Sequence, residues 1–194
     1  GDDLARTIDA WCPVLPSYVE RHEARDAARE RGKDVWWYTC CWPPHPYANV
    51  FVEYPAIESR LLTGAMSWKY QPDGFLYYAL NGGDAGSSRR DGVLCRWNAE
   101  SYRGFNGDGR FLYPGDNGPV STIRLENLTD GLEDYEYFWV LRDLTERLDR
   151  HELGQTATGR ALLESARTCL AVTESTIASL TEFTTDPSEL ARIR

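Results

Sequence analysis

Positive charge is scarce in this sequence. Lys and Arg number 21 against 30 Asp and Glu, a formal net charge of −9. That balance excludes a sequence-independent grip on nucleic acid, which needs clustered cations. The Arg-rich run from Arg21 to Arg31 is interleaved with Glu and Asp and reads as a solvated helix face. Paired cysteine spacing is also missing. Cys12, Cys40, Cys41, Cys95 and Cys169 form no CxxC and have no matching His pair, which argues against a zinc site; no cofactor is implied. Cys40 and Cys41 are adjacent, so on a strand their thiols are expected on opposite sides, as buried free thiols. No apolar run approaches membrane-spanning length, so no membrane partner is expected. Gly82, Gly83 and Gly86 neither follow the dinucleotide-binding pattern nor open a helix. His22, His45 and His151 lie beside no Ser or Cys in a nucleophile-elbow context, so a hydrolase triad is unsupported. No leader is recognisable. The chain opens on GDD and reads as a mature, trimmed or truncated product, which leaves its compartment unknown.

Apolar and aromatic residues are plentiful. At 42% hydrophobic and 12% aromatic, the 194 residues suit one globular domain with a sizeable core. Thr7 to Cys12 reads as a strand closed by Pro13. Ser17 to Arg31 is a charged helix ending at Gly32. Asp34 to Cys41, DVWWYTCC, and Phe75 to Leu80, FLYYAL, read as strands buried on both faces. A Pro-rich loop follows the first of them at Trp42 to Asn49. Ala56 to Tyr70 is a helix with Ile57, Leu61, Gly64, Ala65 and Trp68 on one stripe, and Pro72-Asp73-Gly74 is a turn. A long Gly-rich loop covers Asn81 to Asn106.

Arg110 to Tyr113 is a fourth extended run, punctuated by Pro114-Gly115. Pro119 and Ser121 mark a helix start. Gly131 predicts a bend or break in that helix. Leu163, Ala166, Leu170, Thr173, Ile177 and Leu180 predict a last amphipathic helix, with a polar, fraying tail from Thr184. The class is therefore α/β: four β-α units and an extra C-terminal helix. Such units fit a small open parallel sheet or half of an eight-unit barrel, and in both the ligand sits at the C-terminal strand ends.

The residues expected at those ends are Asp9 and Trp11, Trp37 and Tyr38, Tyr78 and Asn81, with Asp108 on a nearby loop. Aromatic faces with a few carboxylates and amides bind sugars, by packing on C–H faces and hydrogen bonding to hydroxyls. The same aromatics could instead be core. Alternation sends Trp37 and Tyr38 to opposite sides. Glycoside hydrolysis needs two carboxyl groups about the scissile bond. Asp2-Asp3 lies at the terminus. Glu133-Asp134 falls in a helix and reads as a supporting pair. Asp9 is the best lone candidate.

TIDAWCP, DVWWYTC, the Arg60-Leu61-Leu62 to Trp68-Lys69-Tyr70 run, DGFLYYALN, and DGRFLYPG followed by STIRLENLTDGLEDYEY together resemble glycoside hydrolase family 123, specifically the C-terminal half of its catalytic barrel. The resemblance covers most of Ile8 to Leu144. It implies that residues 1–183 form the second half of a (β/α)8 TIM barrel, with 184–194 as a polar tail. It also implies a carbohydrate substrate, a β-linked N-acetylgalactosaminide, and a retaining, substrate-assisted mechanism. The family's adjacent Asp-Glu pair precedes the TIDAWCP-like motif and has no counterpart here. The chain is therefore expected not to be catalytic alone, and to pair with another copy or with the missing N-terminal half. A secreted or periplasmic setting fits the resemblance. The alternatives are a non-catalytic carbohydrate-binding module and a scaffold whose aromatics are only core.

Overall fold

The computed structural model describes residues 7–81, 89–90, 93–94 and 105–191. Asp2, Asp3, Cys95 and most of the Gly-rich loop lie outside those residues. Two β-α-β crossovers open the chain. β1 (Ala10–Trp11) leads to α1 (Leu15–Glu20) and α2 (His22–Glu30). β2 (Asp34–Val35) and β3 (Trp37–Tyr38) follow, then α3 (Ile57–Leu61), a π-helical turn (Leu62–Met66), α4 (Ser67–Tyr70) and β4 (Phe75–Leu76).

β2 and β3 are one strand interrupted at Trp36. Along one edge the amides of Asp34, Trp36 and Tyr38 donate to the carbonyls of Asp9, Trp11 and Pro13. On the other edge Trp37 donates to Gly74, and β3 pairs with β4 in parallel register. The Pro72-Asp73-Gly74 turn ties this together: Asp73 Oδ2 accepts from the amide of Val35 at 2.7 Å and from Arg29 Nε at 3.0 Å. Gly74 is required there, because a Cβ would lie 2.6 Å from the Trp36 ring.

The strands alternate rather than being buried on both faces. Val35, Trp37 and Thr39 are buried under helices, while Trp36 and Tyr38 are half-buried. From the end of β4 onward, Leu76, Tyr78 and Leu80 are exposed and Tyr77 is half-buried. The pleat gives the sheet one helix-covered face and one more open face. FLYYAL accordingly holds ladder pairing only at Phe75 and Leu76.

The fourth parallel unit is replaced by a hairpin. After the two-residue strands β5 (Arg89–Arg90) and β6 (Val93–Leu94), which pair antiparallel, β7 (Leu112–Gly115) folds back on β8 (Gly118–Ser121). The turn residues Asp116-Asn117 and Gly118 at φ +130° favour this, so Pro119 sits in a strand and not at a helix start. The hairpin joins the sheet through the amides of Phe111 and Leu112, both donating to Leu80 O.

α5 (Ile123–Arg150) begins two residues after Ser121, with Thr122 as its cap. It passes unbroken through Gly131. That glycine serves packing instead: a Cβ there would lie 2.1 Å from Thr63 Oγ1. The facing Gly64 sits in the π-helical turn, so the two backbones cross closely. Arg60 binds Asp134 through two hydrogen bonds, of 2.6 and 3.0 Å, beside that crossing, which gives Asp134 its helix-supporting role. Trp68 stacks on Phe138 at 5.1 Å and donates to Leu170 O.

A short 3₁₀ turn (Glu152–Gln155) leads into α6 (Ala157–Leu170), which stops well short of the expected stripe. Ile177 and Leu180 are buried in irregular chain beyond it. The tail is not frayed throughout: α7 (Pro187–Ala191) places Leu190 in the core at 1% exposure. No described helix is long and apolar enough to cross a membrane.

Candidate functional site

The open face of the sheet and the C-terminal ends of its strands meet at Tyr38 and Tyr78. β3 ends at Tyr38, and its register partner Leu76 lies two residues before Tyr78. Tyr78 is 54% exposed. Asp108 stands beside it at 3% exposure. The carboxyl of Asp108 accepts a hydrogen bond from Tyr77 Oη at 2.8 Å, and the Tyr78 phenol lies within its electrostatic reach. Gly109 N donates to Tyr77 Oη at 2.7 Å. Burial pushes the Asp108 carboxyl above its ordinary range; the two phenols, the Gly109 amide and the Arg124 charge work against that. Burial likewise raises both phenols, and Asp108 adds to the effect.

The Gly107-Asp108-Gly109 turn fits this arrangement residue by residue. Both glycines have positive φ, +77° and +71°. A Cβ on Gly109 would sit 2.6 Å from the Tyr78 hydroxyl, and one on Gly107 would sit 2.7 Å from the Arg124 guanidinium. Arg124 is buried and donates to Val50 O at 2.6 Å, to Gly107 O at 2.8 Å and to Arg110 O. It thus fixes the turn from below, while Tyr77 and Tyr78 fix it from above.

The six residues expected at the site separate. Tyr38 and Tyr78 share the open face. Asn81 is exposed, and its backbone bridges Arg110. Trp37 is fully buried, edge-on to Tyr18 at 5.2 Å, and belongs to the core. Trp11 faces the helix-covered side, where it lines a groove of about 660 Å³ with Tyr18, Ala24, Arg25, Ala28 and Val35. Asp9 stands at the entrance of β1, at the opposite end of the sheet from Tyr38. Its side chain is 92% exposed and pairs with Lys33 at 2.6 Å, which holds the carboxyl below its usual range.

Among the described residues, no group of three or more His, Cys, Asp or Glu is placed to hold a metal ion. The arrangement offers an exposed phenol with a buried carboxyl in its electrostatic reach, and a second aromatic ring on the same face. Such a surface binds a polar ligand that has apolar C–H faces.

Residues 3–141 match the family model described as Glycoside hydrolase 123, catalytic domain. The chain belongs to this family. No curated protein matches it. As a member of the glycoside hydrolase 123 catalytic-domain family, the chain has carbohydrate as its class of substrate. The match spans both crossovers, the hairpin and most of α5, so Tyr38, Tyr78 and Asp108 all fall within it. Asp108 and its glycines are visible in sequence only as a loop signal. Arg124 carries no sequence signal, because its partners are carbonyls distant along the chain.

Proposed function

We propose that this chain supplies the sugar-holding part of a retaining, substrate-assisted β-N-acetylgalactosaminidase and does not cleave alone. The observation that carries the reading is Tyr78, exposed at a strand end and electrostatically coupled to buried Asp108. The family match supports glycoside hydrolysis as the setting. In that setting residues 1–183 form the second half of a (β/α)8 barrel whose open sheet face is the barrel interior, and residues 184–194 follow it. The 2-acetamido oxygen of the substrate attacks the anomeric carbon. One carboxylate steadies the resulting ring, and a neighbouring acid protonates the leaving oxygen. Nowhere in the sequence is an Asp followed directly by Glu, so those two groups come from outside this chain.

Tyr38 and Tyr78 give the sugar a stacking face and a hydroxyl, and Asn81 stands close to the rim. Titration with N-acetylgalactosamine and a thiazoline analogue, followed by tryptophan fluorescence, tests this. Saturable binding is expected without hydrolysis of an aryl glycoside. Tyr78→Phe removes one hydrogen bond and is expected to weaken binding about tenfold, roughly 1.4 kcal/mol. Unchanged binding in both Tyr78→Phe and Tyr38→Phe would refute the site. Absence of binding by a well-folded chain would favour a scaffold.

A further inference from the structure

The groove beside α2 carries a charge opposite to that of the whole chain. Its floor is apolar, with Trp11, Ala24, Ala28 and Val35 in a volume of about 660 Å³. Arg21, Arg25, Arg31 and Lys33 also line it, and among the described residues no Asp or Glu does. In a chain of net charge −9 this is a local inversion. Two of the cations are engaged: Arg25 binds Asp26 at 2.8 Å, and Lys33 binds Asp9 at 2.6 Å. Arg21 and Arg31 are exposed, and among the described residues neither is paired with a carboxylate. They cap the two ends of α2, ten residues apart, which is about 15 Å at the helical rise.

α5 has the matching pattern in the opposite sign. Leu132, Glu136, Trp139 and Asp143 recur at i, i+4, i+7 and i+11 on its outer side, with Val140 and Glu146 beside them. Leu132, Trp139 and Val140 are exposed, and so are Glu136 and Glu146. The cations nearby are committed elsewhere: Arg147 pairs with Asp143 at 3.5 Å, and Arg142 lies over the Trp68 ring. Glu136 and Glu146 are likewise ten residues and about 15 Å apart, and they bracket Trp139 and Val140.

We propose that the groove of one copy of this chain receives the outer face of α5 from a second copy. Trp139 and Val140 enter against the apolar floor, while Glu136 and Glu146 meet Arg21 and Arg31. The equal spacing lets both charge pairs form at once, which fixes the register of the contact. The groove and the α5 face are different surfaces of one chain, so the contact is head-to-tail. Each joined pair leaves one groove and one α5 face free, and assembly continues past two copies unless a ring closes. Neither Tyr38 nor Tyr78 takes part, so the contact stands apart from the sugar site.

Complementation between variants, read by sedimentation velocity, is the test. The unaltered chain is expected to form a concentration-dependent series that extends past the dimer, weakened about tenfold when salt rises from about 0.05 to about 0.5 M. Trp139→Glu is expected to run as a monomer, and so is the double variant Arg21→Glu with Arg31→Glu. Mixed in equal amounts, the two are expected to give a dimer that grows no further, because one brings an intact groove and the other an intact α5. In the unaltered chain, hydrogen–deuterium exchange of residues 22–30 and 132–146 should slow together as concentration rises, so a variant that fails to fold does not decide the matter. An unaltered chain that stays monomeric, association that survives the groove double variant, or protection of α5 without protection of α2 overturns the proposal.

Discussion

Glu58 shows how much a single residue can govern. It is buried in α3, accepts from the amide of Asn49 at 3.0 Å, and burial pushes its carboxyl up to about 7. Between its unfolded value, near 4.5, and about 7 the folded chain holds a proton that the unfolded chain has released. Stability from this group is therefore full below about pH 4.5 and is lost as pH rises through 7, by about 3 kcal/mol at most. Glu58→Gln keeps the acceptor and removes the charge. In urea unfolding at pH 5 and pH 8 the variant should gain on the parent only at the higher pH. Equal gains at both would remove the buried charge from the explanation.

The site itself was partly legible at this scale. Tyr78 was placed by its position late in a strand, and that logic needs only the order of strands. Trp37 does stand at a strand end, but alternation turns it to the helix-covered face and into the core, while Asp9 lies at the entrance of a β1 that holds only Ala10 and Trp11. Arg124 could not be read, since a cation that satisfies three backbone carbonyls looks in sequence like any helix arginine.

Between elements, the crossing of α3 and α5 is held by a buried ion pair that one substitution can expose. Arg60 and Asp134 bind through two hydrogen bonds, and the Asp134 side chain is almost wholly buried. Truncating one partner leaves the other charged without its counterpart, at a cost of about 3 kcal/mol. Asp134→Ala should lower the urea midpoint accordingly, and the apolar double variant Arg60→Met with Asp134→Leu should recover part of the loss. If the double variant falls as far as the single, shape and not charge pairing holds the crossing.

The same crossing explains a misreading. Glycine in a helix signals a break when only propensity is weighed, yet Gly131 is there because Thr63 and Arg60 approach too closely for a side chain. Packing between residues far apart in sequence decides such positions. The hairpin at β7 and β8 was hidden for a related reason: Pro114 and Pro119 suggested punctuation, but they face each other across a short ladder. The α/β order and the Asp73 turn needed only local pattern, whereas the C-terminal helices departed from it: the first runs unbroken through Gly131 and the second stops at Leu170.

At the scale of the molecule, two apolar surfaces stand open among the described residues. α5 exposes Leu132, Trp139, Val140 and Leu144 on its outer side. At the other end of the chain lies the groove lined by Trp11 and Val35. Faces of this kind mark places where another element belongs. Sedimentation velocity should therefore find concentration-dependent self-association, reduced by Trp139→Glu. A single monomeric boundary together with cooperative unfolding would count against both the self-association and the half-barrel.

α2 borders that groove and contains no buried residue at all. Its amides are hydrogen-bonded, but its tertiary hold is slight: Arg29 reaches Asp73 and Tyr18 near its C-terminus, and Ala28 rests against the core. Such segments open by local fluctuation at a fraction of the global unfolding free energy. Hydrogen–deuterium exchange should label residues 22–30 well before the buried turns of α5, and any partner that fills the groove should slow exchange there first.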